Sequence, residues 1–124
     1  MTVFFGDGTS QTTAATSITA ELVCRAWVNF EGQGTVAMRD NQGVTGITDN
    51  GTGNYNVNFP TMGDSNYCTV GSHNIQSVNN RVWGHDNSNY GATSVRITTE
   101  DASQGYGQGS SRVDQDRFCL AFFT

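Results

Sequence analysis

The sequence predicts an all-β protein with an antiparallel β-sandwich or jelly-roll-like fold, and three observations indicate this fold class. Short runs alternate between apolar and polar side chains, as Tyr55, Val57 and Phe59 do with the asparagines beside them. Side chains on a strand point to opposite faces with a period of two, so these runs favour half-buried strands. Clusters of Gly, Asn and Asp separate the runs, which recur about every 8–12 residues. This spacing is typical of sandwiches and barrels.

The predicted strands follow one another from residue 23 to the end of the chain. They lie at 23–30, 34–39, 43–48, 54–59, 66–71, about 78–84, 92–99 and 117–123. The clearest turn is the DNGTG segment at 49–53, because Asn and Gly accept positive φ at low cost. The last strand is apolar on both faces, which indicates either a central strand of a two-layer core or packing against another subunit.

Residues 1–18 form an extended N-terminal arm in this prediction, and residues 19–124 form the β-sandwich domain. The arm begins with a strand-like VFF run, continues through a tight Gly-Asp-Gly turn and then becomes polar. Because it is too polar to fold alone, we predict that it pairs with neighbouring chains or threads between the subunits of a trimer. The residues assigned to this assembly role are Val3, Phe4, Phe5, Asp7 and Gln11.

Composition excludes several classes of partner. Of the 124 residues, 35% are hydrophobic and 14% charged; the net charge is -5, and all six cationic residues are arginines. An acidic chain without a basic run repels phosphate backbones, so we expect no nucleic-acid partner. No apolar run approaches the ~20 residues that span a bilayer, and the N-terminus does not resemble a signal peptide, so we expect no membrane insertion.

The three cysteines, Cys24, Cys68 and Cys119, form no C-x-x-C pair. Their odd number argues against a disulfide framework or a zinc knuckle. Each lies in a strand-like run, and an unpaired cysteine often behaves as a small hydrophobic residue. We therefore predict buried free thiols, which suits assembly in a reducing cytoplasm.

No cofactor or metal ion is predicted. The two histidines, His73 and His85, are far apart in sequence and lack the spacing of a tight metal site. The segment 49–54 slightly resembles a calcium loop, but it lacks the carboxylate count and the distal glutamate. We expect it to be a hairpin turn.

The sequence also contains no strong catalytic motif. Asp114 and Asp116 would share a strand face if the chain were extended there, and paired carboxylates serve glycosidase-type sites. Arg112 and Arg117 flank them, however, so we expect structural ion pairs. There is no nucleophile motif such as G-x-S-x-G. We predict a non-enzymatic protein, with a polysaccharide-degrading enzyme as the remaining catalytic hypothesis.

Two long polar segments, 84–91 and 100–112, each place a tyrosine among small polar residues. Such segments are either solvated loops or adaptable recognition surfaces, since Tyr supplies rigid contact area and Asn, Ser and Gly supply hydrogen bonds. Trp83 either packs in the core or stacks on a sugar, whereas Trp27 is predicted to be core. The candidate host-contact residues are Trp83, His85, Asn87, Asn89, Tyr90, Gln104, Tyr106 and Gln108.

Two segments resemble bacteriophage virion proteins. Residues 5–15 (FGDGTSQTTAA) are similar to an F-x-D-G-T-x-Q-T-T-A segment that recurs in phage fibre chains, where it links fibre modules. Residues 25–40 (RAWVNFEGQGTVAMRD) and 44–59 (VTGITDNGTGNYNVNF) resemble a module of tail-fibre-like proteins of marine and cyanobacterial phages. The likeness continues through Tyr67, weakens in the polar segments and returns in the closing FCLAFF strand at 118–123.

This resemblance implies a virion structural protein, assembled in the host cytoplasm and located in the virion. It implies a tail-fibre or fibre-tip module that contacts the host cell surface. The implied partners are other virion proteins, two further copies in a homotrimer, and a host surface glycan or protein. The chain is much shorter than a fibre subunit, so a capsid decoration or head-fibre protein that stabilises the shell is the alternative.

Overall fold

The computed structural model describes residues 3–4, 6, 10–11, 24–74, 81–104 and 112–124, and these residues form an all-β fold. The strands are β1 (Val3–Phe4), β2 (Ser10–Gln11), β3 (Cys24–Glu31), β4 (Ala37–Gln42), β5 (Gly46–Asp49), β6 (Asn54–Asn58), β7 (Cys68–His73), β8 (Arg81–Tyr90), β9 (Ser94–Asp101) and β10 (Phe118–Phe123). A short 3-10 helix, Ala102–Gln104, follows β9. The described residues include no helix that is long and apolar enough to cross a membrane.

Two four-stranded antiparallel sheets pack against each other as a β-sandwich, so the predicted fold class is confirmed. The first sheet has the strand order β4-β3-β10-β7, and the second has the order β5-β6-β9-β8. Three hairpins, β3–β4, β5–β6 and β8–β9, each lie within one sheet. The closing strand β10 lies between β3 and β7, and it is therefore central in the first sheet.

The core lies between the two sheets and consists of alternate residues of their inner strands. The first sheet contributes Ala26, Val28, Phe30, Phe118, Leu120 and Phe122, and the second contributes Tyr55, Val57, Val95 and Ile97. Aromatic rings connect the sheets edge to face, with centroids 5.3 Å apart in the Phe30–Tyr55 pair. Such ring pairs add to the free energy of apolar burial, so they help to fix how one sheet sits on the other.

The DNGTG segment is the tight turn of the β5–β6 hairpin, as predicted. The Asn50 N–H donates to the Asn54 carbonyl at 2.8 Å, and the Asn54 N–H donates to the Gly51 carbonyl at 3.0 Å. The Asp49 carboxylate accepts the Gly51 N–H at 2.8 Å. Gly51 and Gly53 both have positive φ, of 106° and 58°.

The described part of the N-terminal arm is a two-stranded antiparallel ribbon. Val3 pairs with Gln11, and Phe4 pairs with Ser10. Phe5, Asp7 and residues 12–23 lie outside the described residues. The proposed assembly role of the arm stays a prediction.

Candidate functional site

A bulge interrupts β8 in the middle of the segment that the sequence indicates as a loop. His85 pairs with Ile97 and Tyr90 pairs with Val95, so five steps along β8 match two steps along β9. The extra residues at 86–89 must bend away from the sheet, because they have no partners in the ladder. The prediction of a loop at 84–91 is therefore wrong, because residues 84–90 belong to a bulged edge strand. The extra residues of the bulge interrupt the period-two pattern by which a strand is recognised in the sequence.

Asp86 holds the bulge together. Its Oδ1 accepts the Ser88 N–H at 3.0 Å and the Ser88 hydroxyl at 2.5 Å. Its Oδ2 lies 3.5 Å from a guanidinium nitrogen of Arg96 on β9. These hydrogen bonds from Ser88, with the nearby guanidinium, hold the pKa of Asp86 below its usual value. The bulge thus has a defined shape, with Asn87 and Ser88 exposed at its tip and Asn89 half-buried.

His85 lies between two aromatic side chains of the same strand. Its ring contacts Trp83 and Tyr90 edge to face, with centroid distances of 5.6 Å and 5.0 Å. The residue remains exposed at the surface. Loss of solvent on the packed part of the ring lowers the pKa of His85, so the imidazole is neutral at pH 7. A neutral imidazole both donates and accepts hydrogen bonds, which suits contact with uncharged polar groups.

The side chain of Tyr90 packs and forms hydrogen bonds within the fold. Its ring stacks on Tyr67 with the centroids 4.6 Å apart, and its hydroxyl donates to the Tyr67 carbonyl at 2.5 Å. The same hydroxyl lies 3.2 Å from the Thr69 hydroxyl. Tyr90 is half-buried and packs against the edge of the core, and its contact role stays a prediction.

Trp83 packs against the core, as one of its two predicted roles required. Its ring contacts Phe118 edge to face at 5.7 Å, across the sandwich. Gly71 on β7 leaves room for it, because a Cβ there would come within 3.1 Å of Trp83 Cζ2 and 2.6 Å of Leu120 Cδ2. Trp83 therefore contacts both the core and the ring of His85.

The second predicted contact segment, 100–112, is only partly described. Gln104 ends the 3-10 helix, whereas Tyr106 and Gln108 lie outside the described residues. The segment is anchored at both ends, since Asp101 accepts the Ser103 N–H at 2.9 Å and Glu100 forms an isolated bridge with Arg112.

The two aspartates considered for acid–base chemistry have separate structural partners. Asp114 accepts the Gly53 N–H and the Tyr55 hydroxyl, both at 2.8–2.9 Å from its Oδ1. Asp116 accepts hydrogen bonds from Arg39 and Asn74, each at 3.0 Å. The Arg39 contact is the main reason why the pKa of Asp116 lies below its usual value.

The expected ion pairs of these aspartates with the flanking arginines are therefore corrected. Asp116 pairs with Arg39 of β4, which also pairs with Glu31 of β3. Asp114 has neutral donors instead. Tertiary folding brings β4 beside Asp116. In an extended segment, by contrast, the side chains of adjacent residues such as Asp116 and Arg117 point to opposite sides.

Trp27 and the cysteines are placed differently from the predictions. Trp27 is half-buried on the outer face of the first sheet, where its indole N–H donates to Gln42 Oε1 at 3.3 Å. Cys68 is exposed, and Cys24 and Cys119 are half-buried free thiols. Alternation was the signal that could have placed Trp27, since it shares its strand face with Asn29 and not with the buried Val28.

No group of three or more His, Cys, Asp and Glu side chains in the described part of the chain could hold a metal ion. His73 stacks on Phe118 with the centroids 6.0 Å apart, on the core side of β7, whereas His85 lies on β8. The chain matches no family model, no curated protein and no solved structure.

Proposed function

We propose that this chain is a non-enzymatic bacteriophage virion protein, a tail-fibre or fibre-tip module that contacts the host cell surface. The resemblance of residues 5–15, 25–40 and 44–59 to phage fibre segments supports the class of protein. In this proposal it is assembled in the host cytoplasm with other virion proteins, as a homotrimer.

The observation that carries host contact is the bulge of β8. A recognition surface needs polar groups presented on a rigid base, because ordering a flexible loop costs binding free energy. The tip residues Asn87 and Ser88 are exposed, and Asp86 braces the bulge from within. The exposed ring of His85 adds a flat surface beside these polar groups. Amide, hydroxyl and neutral imidazole groups match the hydroxyl groups of a host surface glycan.

Binding of the purified protein to host cells and to their isolated surface glycans tests this proposal. We expect the His85→Ala/Asn87→Ala double variant to bind at least about tenfold more weakly. Truncation of a contact residue at the centre of an interface commonly reduces the free energy of binding by more than about 1 kcal/mol. Thr48→Ala, an exposed change on β5 at the other edge of the second sheet, is the matched control. Equal binding by all three proteins would contradict the assigned surface.

Antibody labelling of intact phage particles tests the location separately. Label on the tail supports a fibre or fibre-tip module. Label distributed over the head, with loss of shell stability in particles that lack the chain, would favour the alternative of a capsid decoration or head-fibre protein. Unlabelled particles would contradict a virion role of either kind.

A further inference from the structure

Strand β7 forms an open edge of the first sheet. Its neighbour on one side is β10, and no described strand pairs with it on the other side. The six residues Cys68–His73 include no Lys, Arg, Asp, Glu or Pro, and their register with β10 runs without a bulge. Such a strand is regular and presents unpaired backbone groups, which are a template for pairing with another chain.

The ladder with β10 determines which backbone groups of β7 face this open edge. The Asn74 N–H donates to the Arg117 carbonyl at 3.2 Å, and this pair continues the β10–β7 register by one step. Hydrogen-bonded pairs alternate with non-hydrogen-bonded pairs in an antiparallel ladder. Every second residue of β7 therefore directs its N–H and C=O away from β10. These residues are Thr69, Gly71 and His73. We call their backbone groups the β7 edge.

The three other edges of the two four-stranded sheets carry features that block the addition of a strand. β4 exposes Arg39 and Asp40, and its register with β3 is interrupted by a bulge. β5 has only four residues, and β8 contains the bulge at 86–89. Charged side chains, short length and bulges all protect an edge from pairing. Among these four edges, β7 alone lacks such protection.

We infer that the β7 edge accepts an extended segment of another protein as an added strand. In this kind of recognition main-chain hydrogen bonds supply the affinity, and pockets for alternate side chains supply the preference for a sequence. The added strand lies about 4.8 Å from β7 and extends both faces of the first sheet.

The groove on the outer face of the first sheet indicates which side chains this segment carries. The groove has a volume of about 530 Å³, and the row Trp27–Ala121–Val70 crosses it toward β7. Val70 ends the row and is 48% exposed. A residue of the added strand opposite Val70 continues the row, so we expect an apolar side chain there. Because the net charge of the chain is -5, we expect the segment to be uncharged or basic.

A single extended segment fits the β7 edge better than a second copy of this chain does. Tyr90 of β8 packs beside the edge, with its hydroxyl 3.2 Å from that of Thr69. A second copy that paired through β7 would bring its own β8, with the exposed Asn87 and Ser88 of its bulge, toward this β8 and its bulge. Two copies also repel each other through their net charges of -5. A separate strand brings neither obstacle.

Binding of a strand-forming peptide to the full-length protein tests the inference. The probe is an acetylated and amidated peptide with the sequence Lys-Thr-Val-Thr-Val-Thr-Lys. We expect a dissociation constant of about 1 mM or lower, since main-chain hydrogen bonds hold a strand of almost any sequence. At saturation, hydrogen exchange of the Thr69, Gly71 and His73 amides, measured by NMR, should slow at least about tenfold. The amides of β4 and β5 should change less than about twofold.

Two N-methylated forms of the probe are matched controls on the wild-type protein. In the expected register the valines of the probe lie opposite Val70 and Ser72, and its threonines lie opposite the β7 edge. The threonine N–H groups then face β7, and the valine N–H groups face solvent. Methyl groups on the threonine nitrogens are expected to raise the dissociation constant at least about tenfold, and methyl groups on the valine nitrogens less than about threefold.

Two variants at residue 69 test the same hydrogen bonds from the side of the protein. Thr69→Pro removes an N–H of the β7 edge, and an edge strand tolerates proline where the N–H faces solvent. Thr69→Val keeps the N–H and loses only the hydroxyl near Tyr90, so it is the matched control. We expect the probe to bind at least about tenfold more weakly to Thr69→Pro than to Thr69→Val. Both variants should keep the circular dichroism spectrum of wild type.

Unchanged exchange of the three amides in the presence of the probe, or equal binding of its two methylated forms, would overturn the inference without any variant protein. Equal binding by Thr69→Pro and Thr69→Val would also overturn it. Slow exchange of the three amides without the probe would mean that the edge is already covered, by a second copy if the slowing increases with protein concentration, and would equally overturn it. Host contact is assigned to the bulge of β8, so strand addition can fail while host binding succeeds, and the reverse also holds.

Discussion

At the scale of single residues, position in the strand decided the role of each aromatic side chain. Tyr55 and Val57 share one face of β6 and are both fully buried, whereas Trp27 shares a face of β3 with Asn29 and is half-exposed. Size and hydrophobicity alone favoured burial of Trp27, which has the larger side chain. The period of two prevails, because turning a strand residue inward would move its neighbours outward.

Tyr55 and Tyr67 are the residues from which we predict alkaline sensitivity. Burial is the main reason why the pKa of each lies well above its ordinary value of 10.0, and for Tyr55 a hydrogen bond to Asp114 adds to it. Above pH 10 or so the unfolded tyrosines lose protons that the folded ones keep, so the unfolded state binds fewer protons. The free energy of unfolding should therefore fall, by about 1.4 kcal/mol per pH unit for each tyrosine.

Urea unfolding at a series of pH values from neutral to strongly alkaline measures this loss. The Tyr55→Phe/Tyr67→Phe variant is the control: it loses hydroxyl hydrogen bonds and is less stable at neutral pH, but its alkaline slope should be smaller. A slope equal to that of wild type would show that these two hydroxyls do not cause the loss.

At the scale of elements, the main turn could be predicted from the sequence, whereas the bulge of β8 could not. The DNGTG turn could be recognised because its residue types favour positive φ whatever surrounds them. The bulge of β8 could not, because Gly-His-Asp-Asn-Ser-Asn-Tyr has the composition of a loop. What keeps 84–90 in a strand is its tertiary setting: pairing with β9 and packing of Trp83 and Tyr90 against the first sheet.

The turn at Gly53 provides a prediction about close packing. A Cβ at Gly53 would come within 2.6 Å of the Thr99 carbonyl oxygen and 2.7 Å of the Val113 backbone. Gly34 has nearly the same φ, 63° against 58°, but nothing lies within 4 Å of its Cβ position. We expect Gly34→Ala to lower the free energy of unfolding by about 1–2 kcal/mol from φ alone.

Gly53→Ala should lower the free energy of unfolding by about 1–3 kcal/mol more than Gly34→Ala does, because backbone atoms must also move. Chemical denaturation of both variants provides the comparison. Equal losses in the two variants would mean that the backbone near Thr99 and Val113 yields to an added methyl group.

At the scale of the whole molecule, the two outer faces of the sandwich differ: that of the second sheet is polar, whereas that of the first sheet holds the apolar side chains of Trp27, Ala121 and Val70 among polar ones. Sequence alternation indicated the polar face of β6, and the structure extends it across neighbouring strands through Asn58, Thr48 and Arg96. The apolar side chains of the first sheet's outer face become neighbours only because β3, β10 and β7 lie side by side. The order of strands in a sheet depends on contacts between residues distant in the chain, which local patterns do not encode.

Deletion of residues 1–18 provides a prediction at this scale. The core residues of the β-sandwich begin at Ala26, so we expect the shortened chain to fold with an unchanged circular dichroism spectrum. Loss of the arm should weaken assembly by at least about tenfold in dissociation constant, or about 1.4 kcal/mol. Sedimentation of the shortened and full-length proteins measures this difference. A shortened protein that keeps the full oligomer mass at every concentration would contradict the assembly role of the arm.

By itself the sequence determined the all-β class, the approximate positions of the sandwich strands, the main turn and the inward face of β6. These properties follow from period-two alternation and from the φ preferences of Gly and Asn, both of which act within a few residues. Tertiary structure alone decided the bulge at 86–89, the Arg39–Asp116 pairing, which face of β10 lies inward and the exposure of Cys68. Each of these depends on which strands become neighbours, because a side chain is covered or exposed according to what packs against it.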